Sequence, residues 1–256
     1  MKGGDFRLEL GDCITVLPNL PYSDFIFADP PFNIGQKYQG YEDQKPEDEY
    51  VEFTKEWIRA AYLNLNPLGI LAIHIPSKLL RLTMDLGYYE FGKEPFEHII
   101  WHYRFGQCTW HGLIESKCHC LLYSKGDNWT WNPESIAVES DRVGYGDKRI
   151  NQTDRGGKRP PFDVWGIPSD GPYWGRVTGN SKERRKGHPN QLPEVYLQRL
   201  IKAYTNLGDQ VTDPFCGSGT SACVAISLGR KFSGCEISKI NYDSILERVK
   251  IGVVRL

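Results

Sequence analysis

Gln210-Val211-Thr212-Asp213-Pro214-Phe215-Cys216-Gly217-Ser218-Gly219-Thr220 is the stretch that decides the fold. Gln210 to Asp213 reads as a short strand ending on a carboxylate. Glycines at 217 and 219 let the backbone turn tightly and approach a ligand at the start of a helix, Gly219 to Leu228. A second strand, Lys231 to Cys235, then delivers Glu236, placed to accept hydrogen bonds from both hydroxyls of a ribose. Strand, glycine turn, helix, strand and acid in that order describe an adenosine site. No Lys precedes Thr220, which excludes a Walker phosphate loop. Two ligands remain. Gly217-x-Gly219-x-x-Ala222 with a later acid fits the dinucleotide fingerprint, and the same parts fit S-adenosylmethionine, with Asp213 near its methionine end.

Working outward, the N-terminal half repeats the strand-helix alternation. Phe6 to Leu10 is a strand, Ile14 to Leu17 a short helical stretch and Phe25 to Asp29 a buried strand. Polar residues 36–46 form a loop that could close over a substrate. Glu47, Asp48 and Glu49 favour a helix start, and Tyr50, Phe53, Trp57 and Ala61 give it one apolar face to about Leu65. Asn66-Pro67-Leu68-Gly69 stops that helix. Ile70 to Ile75 is a strand carrying a core histidine, His74, and Lys78 to Leu86 is helical. His98 to Tyr103 and His119 to Tyr123 form a strand pair. Helices over Gln191–Asn206 and Ser238–Val249 complete the pattern. The expected fold is α/β: an open, mostly parallel sheet with helices on both faces and an irregular insertion. Its parts are residues 1–125, the unpatterned insertion 126–187, and residues 188–256.

Ala28-Asp29-Pro30-Pro31-Phe32-Asn33 lies where the Phe25 strand empties into a stiff turn. These residues suit a particular problem. The exocyclic amino group of adenine or cytosine is a poor nucleophile, because its lone pair is delocalised into the ring. Acceptors holding its N–H bonds turn that lone pair towards an electrophile. Asp29 supplies one acceptor and the Pro30 carbonyl another, since proline loses its N–H and keeps its C=O. Phe32 offers a face for base stacking. The bland alternative is a strand ending at a proline turn.

With 256 residues, the chain is long enough for one large domain with an insertion. No apolar run approaches a membrane span, and the N-terminus lacks a signal-peptide pattern. Seven dispersed cysteines suggest reduced thiols in a cytoplasm-like compartment. Cys108, His111, Cys118, His119 and Cys120 fit no standard zinc spacing, so the cysteines read as buried thiols and no metal is expected. The net charge of −1 nominates no partner, but the insertion does. Between Arg142 and Lys186, eleven Lys/Arg oppose five acids, a local +6 that leaves −7 for the rest of the chain. Tyr145, Phe162, Trp165, Tyr173 and Trp174 are interleaved, with Trp165 read as core. Arg155, Lys158, Arg159, Arg176, Lys182, Arg184 and Arg185 are the candidate contacts to nucleic-acid phosphates.

Asp29-Pro30-Pro31-Phe32 ahead of Asp213-Pro214-Phe215-Cys216-Gly217-Ser218-Gly219-Thr220 resembles the amino-methylating DNA methyltransferases, and the motif order resembles their beta class. Gly11-Asp12-Cys13, Asp163-Val164-Trp165-Gly166-Ile167-Pro168 and Gly187-His188-Pro189-Asn190-Gln191-Leu192-Pro193 resemble further segments of that class. The resemblance spans roughly residues 5–250 apart from 126–160. It implies a Rossmann-like methyltransferase fold, with residues 1–125 its catalytic half, 126–187 its target-recognition region and 188–256 its cofactor half. Asp29, Pro30, Pro31 and Phe32 would hold and stack a flipped base. Asp12 would approach the adenine of S-adenosylmethionine, Phe215, Gly217, Gly219 and Thr220 would line that cofactor, Asp213 would lie near its amino-acid end, and Glu236 would take its ribose. Two positions depart from the pattern: Leu192 stands where a Lys is frequent, and Phe32 where a Tyr is commoner. Cys216 forms no adduct, since amino methylation needs no thiol.

The implied substrate is double-stranded DNA and the implied target adenine N6. N4 of cytosine is the rival, because cytosine enzymes of the family more often carry Ser at the position of Asp29. Glutamine-methylating relatives usually carry Asn there. An NAD-dependent oxidoreductase would leave Asp29 to Phe32 idle, and a non-catalytic DNA-binding protein would need neither turn. The same resemblance suggests a cytoplasmic setting, at a prokaryotic nucleoid or in a virus-infected cell. It also leaves room for a homodimer and for a separate restriction endonuclease, since no nuclease segment is recognisable in the chain.

Overall fold

The computed structural model describes residues 5–36, 38, 40–104, 110–149, 156–167, 175–177, 181–188 and 190–253. Arg155, Cys108, Tyr173 and Trp174 therefore lie outside the described residues. In chain order the elements are β1 (Phe6–Leu10), α1 (Cys13–Val16), β2 (Ser23–Ala28), α2 (Glu47–Asn64), β3 (Leu65–Pro76), α3 (Leu80–Phe91), β4 (Glu97–His102), β5 (Lys117–Ser124), β6 (Val138–Glu139), β7 (Lys158–Arg159), β8 (Val164–Trp165), α4 (Glu194–Tyr204), β9 (Gln210–Asp213), α5 (Thr220–Ser227), β10 (Lys231–Glu236) and α6 (Lys239–Ile251). Eight strands form one sheet in the order β1-β10-β9-β2-β3-β5-β4-β8. Neighbours are parallel except β5, which runs antiparallel to both β3 and β4. The short hairpin of β6 and β7 stands apart from it.

Alternating side chains of the central strands feed two cores, as a sheet covered on both faces requires. Phe25, Phe27, Ile70 and Ala72 pack with Tyr196, Leu200, Ala222 and Ile245 of α4, α5 and α6. Ile26, Ala28, Leu71 and Ile73 pack on the other side with Cys13, Trp57, Ile58 and Leu79. Phe25, Ile26 and Trp57 are wholly buried, and each such apolar side chain contributes roughly 1.5–3 kcal/mol relative to exposure.

The two halves of the chain meet at β2 and β9. Their backbones pair only at Phe25 with Val211 and Ile26 with Thr212. Side chains reinforce this short ladder. The Thr212 hydroxyl lies 2.6 Å from that of Ser23 and 2.7 Å from that of Ser233. Ser23 also donates to Asn64 Oδ1 at 2.8 Å, and the Gln210 N–H donates to Asp24 at 2.8 Å. The polar side chains of this seam are thus spent on one another and on backbone, which fixes two strand ends side by side.

The sequence expectations are corrected in three places. Asn66 to Gly69 is not a loop after a helix: α2 ends at Asn64 and β3 starts at Leu65. The register with β2 slips between Ser23 and Phe25, so 66–69 is absorbed as an irregularity within a strand. Gly69 is required there, since a Cβ would lie 2.7 Å from the Ser23 carbonyl. The helix expected from Lys78 starts as a 3-10 turn over Ser77–Leu79, and α3 then continues to Phe91, where Gly92 closes it at φ 67°. The helix expected from Gln191 begins at Glu194, because Pro193 takes the extended cap position and Gln191 and Leu192 face a cavity instead. His74 is a core residue as read, bonded through Nδ1 to the Tyr196 hydroxyl at 3.0 Å. Trp165 is likewise buried.

Candidate active site

A cavity of about 420 Å³ opens at the carboxyl ends of β2, β9 and β10. Open α/β sheets place ligands in such a crevice, where the strand order reverses. Asp12, Asp29, Pro31, Asp213, Phe215, Gly217, Thr220 and Glu236 all lie on its wall. Residues almost two hundred positions apart in the chain are therefore brought to one site.

On the β9 side the groups are held from behind. Asp213 accepts from the Phe215 N–H at 2.8 Å and from the Ser221 hydroxyl. Burial raises its pKa to about 7 even against those two bonds. Glu236 accepts from the Gly217 N–H at 2.8 Å and the Ser238 N–H at 2.9 Å, and burial again shifts its pKa upward. Gly217 has φ 47° and Gly219 φ 73°, left-handed values that a side chain would strain. Gly219 also faces Ile245 so closely that a Cβ would sit 3.0 Å from it; it caps α5 and stands behind the wall. Phe215 is wedged edge-on against Trp57, with ring centroids 5.4 Å apart. Asp12 caps α1, accepting from the Ile14 N–H at 2.8 Å. Cys216 is buried beside Asp213, and burial and that carboxylate push its thiol up, away from the reactive thiolate.

The β2 side is looser. The carboxyl of Asp29 has no hydrogen-bond partner among the described residues. Burial, and then the neighbouring Asp213 carboxylate, hold its pKa well above the usual carboxylate range. Pro30 is buried, and the Pro31 carbonyl is occupied by the Tyr50 hydroxyl at 2.7 Å. Phe32 packs half-buried against the α2 core and is not on the cavity wall. The aromatic wall is made by Phe27, Tyr38, Tyr41, Phe53 and Phe215. Tyr38 and Tyr41 come from the loop after Asp29, which is organised by one carboxylate: Asp43 accepts from the N–H groups of Asn33, Ile34 and Gln36 at 2.8, 3.2 and 2.9 Å.

The candidate phosphate contacts divide by environment. Lys158, Lys182 and Arg184 are exposed. Arg159 is half-buried and stacked over Phe162 at 3.7 Å. Arg176 is half-buried and donates to Oδ1 of Asn190, a residue of the cavity wall, at 2.7 Å. Arg185 is half-buried, with its Nε out of solvent and its charge beside that of Arg248.

Sequence reasoning left Tyr38, Tyr41, His188 and Asn190 without roles, although all four line the cavity. Asn190 hydrogen-bonds to Tyr38 as well as to Arg176. The segment from 187 to 193 was the available signal. Ser221, Glu194 and Arg248 were missed altogether, because only the packing of distant helices gives them partners.

Residues 23–247 match the family model described as DNA methylase. The chain is 30% identical over 247 residues to the type II methyltransferase M.HpaI of Haemophilus parainfluenzae, covering 96% of this chain and 74% of that protein. It is 29% identical over 264 residues to the DNA adenine methyltransferase YhdJ of Escherichia coli K12, covering 96% and 81%. Among solved structures, M1.HpyAVI in complex with SAM superimposes with a TM-score of 0.65 at 19% identity, covering 95% of this chain and 98% of that one. The cytosine-N4-specific PvuII DNA methyltransferase gives 0.70 at 16% identity, covering 98% and 88%. At these identities the two structures support the fold alone.

Proposed function

The chain belongs to the DNA methylase family, and we propose that it methylates the N6 amino group of adenine in double-stranded DNA. The methyl donor is S-adenosylmethionine. The residues fit such a donor: the cavity has the volume of a small-molecule site, and it offers buried carboxylates at Asp213 and Glu236, a glycine turn at the start of α5 and aromatic walls. Asp213 would hold the amino-acid end, Glu236 the ribose, and Asp12 and Phe215 the adenine ring. When bound, the cofactor supplies a methyl group on a sulfonium, already a good electrophile.

The residues of this chain then have two tasks. One is alignment, since placing nucleophile and electrophile in line supplies much of the rate. The other is holding the amino group. Asp29, in its ionised form, accepts an N–H and turns the nitrogen lone pair towards the methyl carbon. The Pro30 carbonyl is the second acceptor. Reaching that nitrogen requires the base to leave the duplex, at a cost of a few kcal/mol. The aromatic wall of the cavity offsets part of this by stacking, with Phe32 behind it. Lys158, Lys182, Arg184 and Arg176 meet phosphates on the way in.

The observation that carries this reading is that Asp29 and Asp213 share one cavity wall at adjacent strand ends. Asp at position 29 favours adenine over cytosine. Digestion of duplex DNA methylated by the purified chain, followed by nucleoside mass spectrometry, tests it. N6-methyldeoxyadenosine is the expected product. N4-methyldeoxycytidine alone would transfer the assignment to cytosine.

A further inference from the structure

The glycine turn that lines the cavity is held from behind by a buried ionic cluster. Arg248 of α6 is 2% exposed and Glu194 of α4 is fully buried, with their charged groups 3.1 Å apart. The other terminal nitrogen of Arg248 donates to the Ser218 carbonyl at 2.7 Å and to the Thr220 hydroxyl at 2.8 Å. Ser218 and Thr220 are themselves on the cavity wall. From the opposite side, the Glu194 N–H donates to Glu183 at 2.8 Å, and Gln191 ties the Glu183 carbonyl to the Arg185 N–H at 2.7 and 2.9 Å. One cluster therefore joins the turn 217–220 to the segment 183–194, which supplies the facing wall through His188, Asn190 and Leu192.

Such a cluster is a poor way to gain stability. Desolvating an ion pair costs about as much as the attraction returns, and apolar residues of similar volume often serve as well or better. Arg248 even leaves its Nε without a hydrogen bond among the described residues. What apolar packing cannot supply is a donor aimed at one carbonyl and one hydroxyl. We propose that Arg248, oriented by Glu194, is a positioning residue that fixes Ser218 and Thr220 so that the turn keeps the shape S-adenosylmethionine needs. The inference rests on the cofactor reading above.

Four variants of the full chain test it: R248K, R248M, E194Q and the double R248M/E194M. Cofactor affinity is read by calorimetry with S-adenosylmethionine, stability by thermal unfolding, and binding of a mixed-sequence duplex by anisotropy. R248M and E194Q should lose roughly 10 °C in Tm, because each strands one buried charge. Both should weaken cofactor binding at least about tenfold while duplex affinity changes less than about threefold. R248K, which keeps the charge with fewer directed donors, should fall between them and wild type. The double variant decides: its Tm should return towards wild type while its cofactor affinity stays weak. Cofactor affinity that recovers with Tm would overturn the proposal, reducing the cluster to scaffolding. Where a single variant does not fold, the double variant still gives both readings. Wild-type chain giving no heat with S-adenosylmethionine would instead strike down the cofactor reading, a distinct failure.

Discussion

At the β9 and β10 ends of the cavity each carboxylate is already engaged: Asp213 by Phe215 and Ser221, Glu236 by Gly217 and Ser238. At the β2 end Asp29 has no such bonds among the described residues, and its wall is completed by tyrosines from a loop. On the proposed reading, the β9 and β10 side is a preformed receptor for the cofactor. The β2 side would be an acceptor held ready for N–H groups that only an extruded base brings. A small ligand of fixed shape rewards preorganisation, whereas a base that must swing out of a duplex needs an open approach. The unbonded carboxylate is the part expected to do chemistry, and the bonded ones the part expected to bind.

Breaking each side separately sharpens that contrast. Asp29→Ala should lower methyl transfer by a factor on the order of 10² to 10³ or more, the scale seen when a directed polar group is lost from a reacting centre. Its S-adenosylmethionine affinity by calorimetry should stay within about twofold of wild type. Unchanged turnover would remove Asp29 from the chemistry.

Asp213→Asn should act the other way, weakening cofactor binding about 10- to 100-fold, the worth of a charge-assisted hydrogen bond. Asp213 should also make stability depend on pH, with a sign that can be checked. Its folded pKa of about 7 lies above its ordinary value of 3.8. The native state therefore holds a proton that the unfolded state releases between those values. This contribution to stability is fully present below about pH 4 and is lost as pH rises through 7. Chemical denaturation from pH 4 to 8 should show the dependence in wild type and a flatter profile in Asp213→Asn. Methyl transfer should run oppositely, falling as pH drops below about 7, since protonated Asp213 no longer offers a charged acceptor.

The smallest effects belong to the basic region. Replacing Lys182 and Arg184 with Ala should weaken duplex binding modestly and lower the slope of log K against log salt by roughly one for each phosphate no longer neutralised. Arg185→Ala should change that slope little, because its side chain is half-buried. If all three shifted the slope equally, the division between exposed and half-buried cations would be wrong.

Much of this site was legible in the sequence, for identifiable reasons. Asp29, Asp213, the glycines and Glu236 stand out because each sits at a strand end beside a residue type with a local purpose: proline for a stiff turn, glycine for a left-handed backbone. Phe32 was less legible. An aromatic ring beside a catalytic turn looks the same on paper whether it lines the cavity or backs it, and here it packs on the core. Tyr38 gave no local signal, and Asn190 stood in a segment whose likeness to the family did not say that its side chain bonds to Tyr38 and Arg176. The run Arg184-Arg185-Lys186 did not show that Arg185 is half-buried between two exposed neighbours, because charge in a string does not say which side chain turns inward.

The sequence by itself determined the alternation of strands and helices, the two carboxylate-bearing turns and the order in which they occur, because periodicity and turn chemistry are properties of neighbours in the chain. Only the tertiary structure decided that those turns share one cavity, since that depends on β2 and β9 lying side by side through two backbone pairings and a hydroxyl ladder. It also decided the partners of Arg248. A buried charge is tolerable only where distant elements converge to satisfy it, and convergence is a fact about packing that no single segment carries.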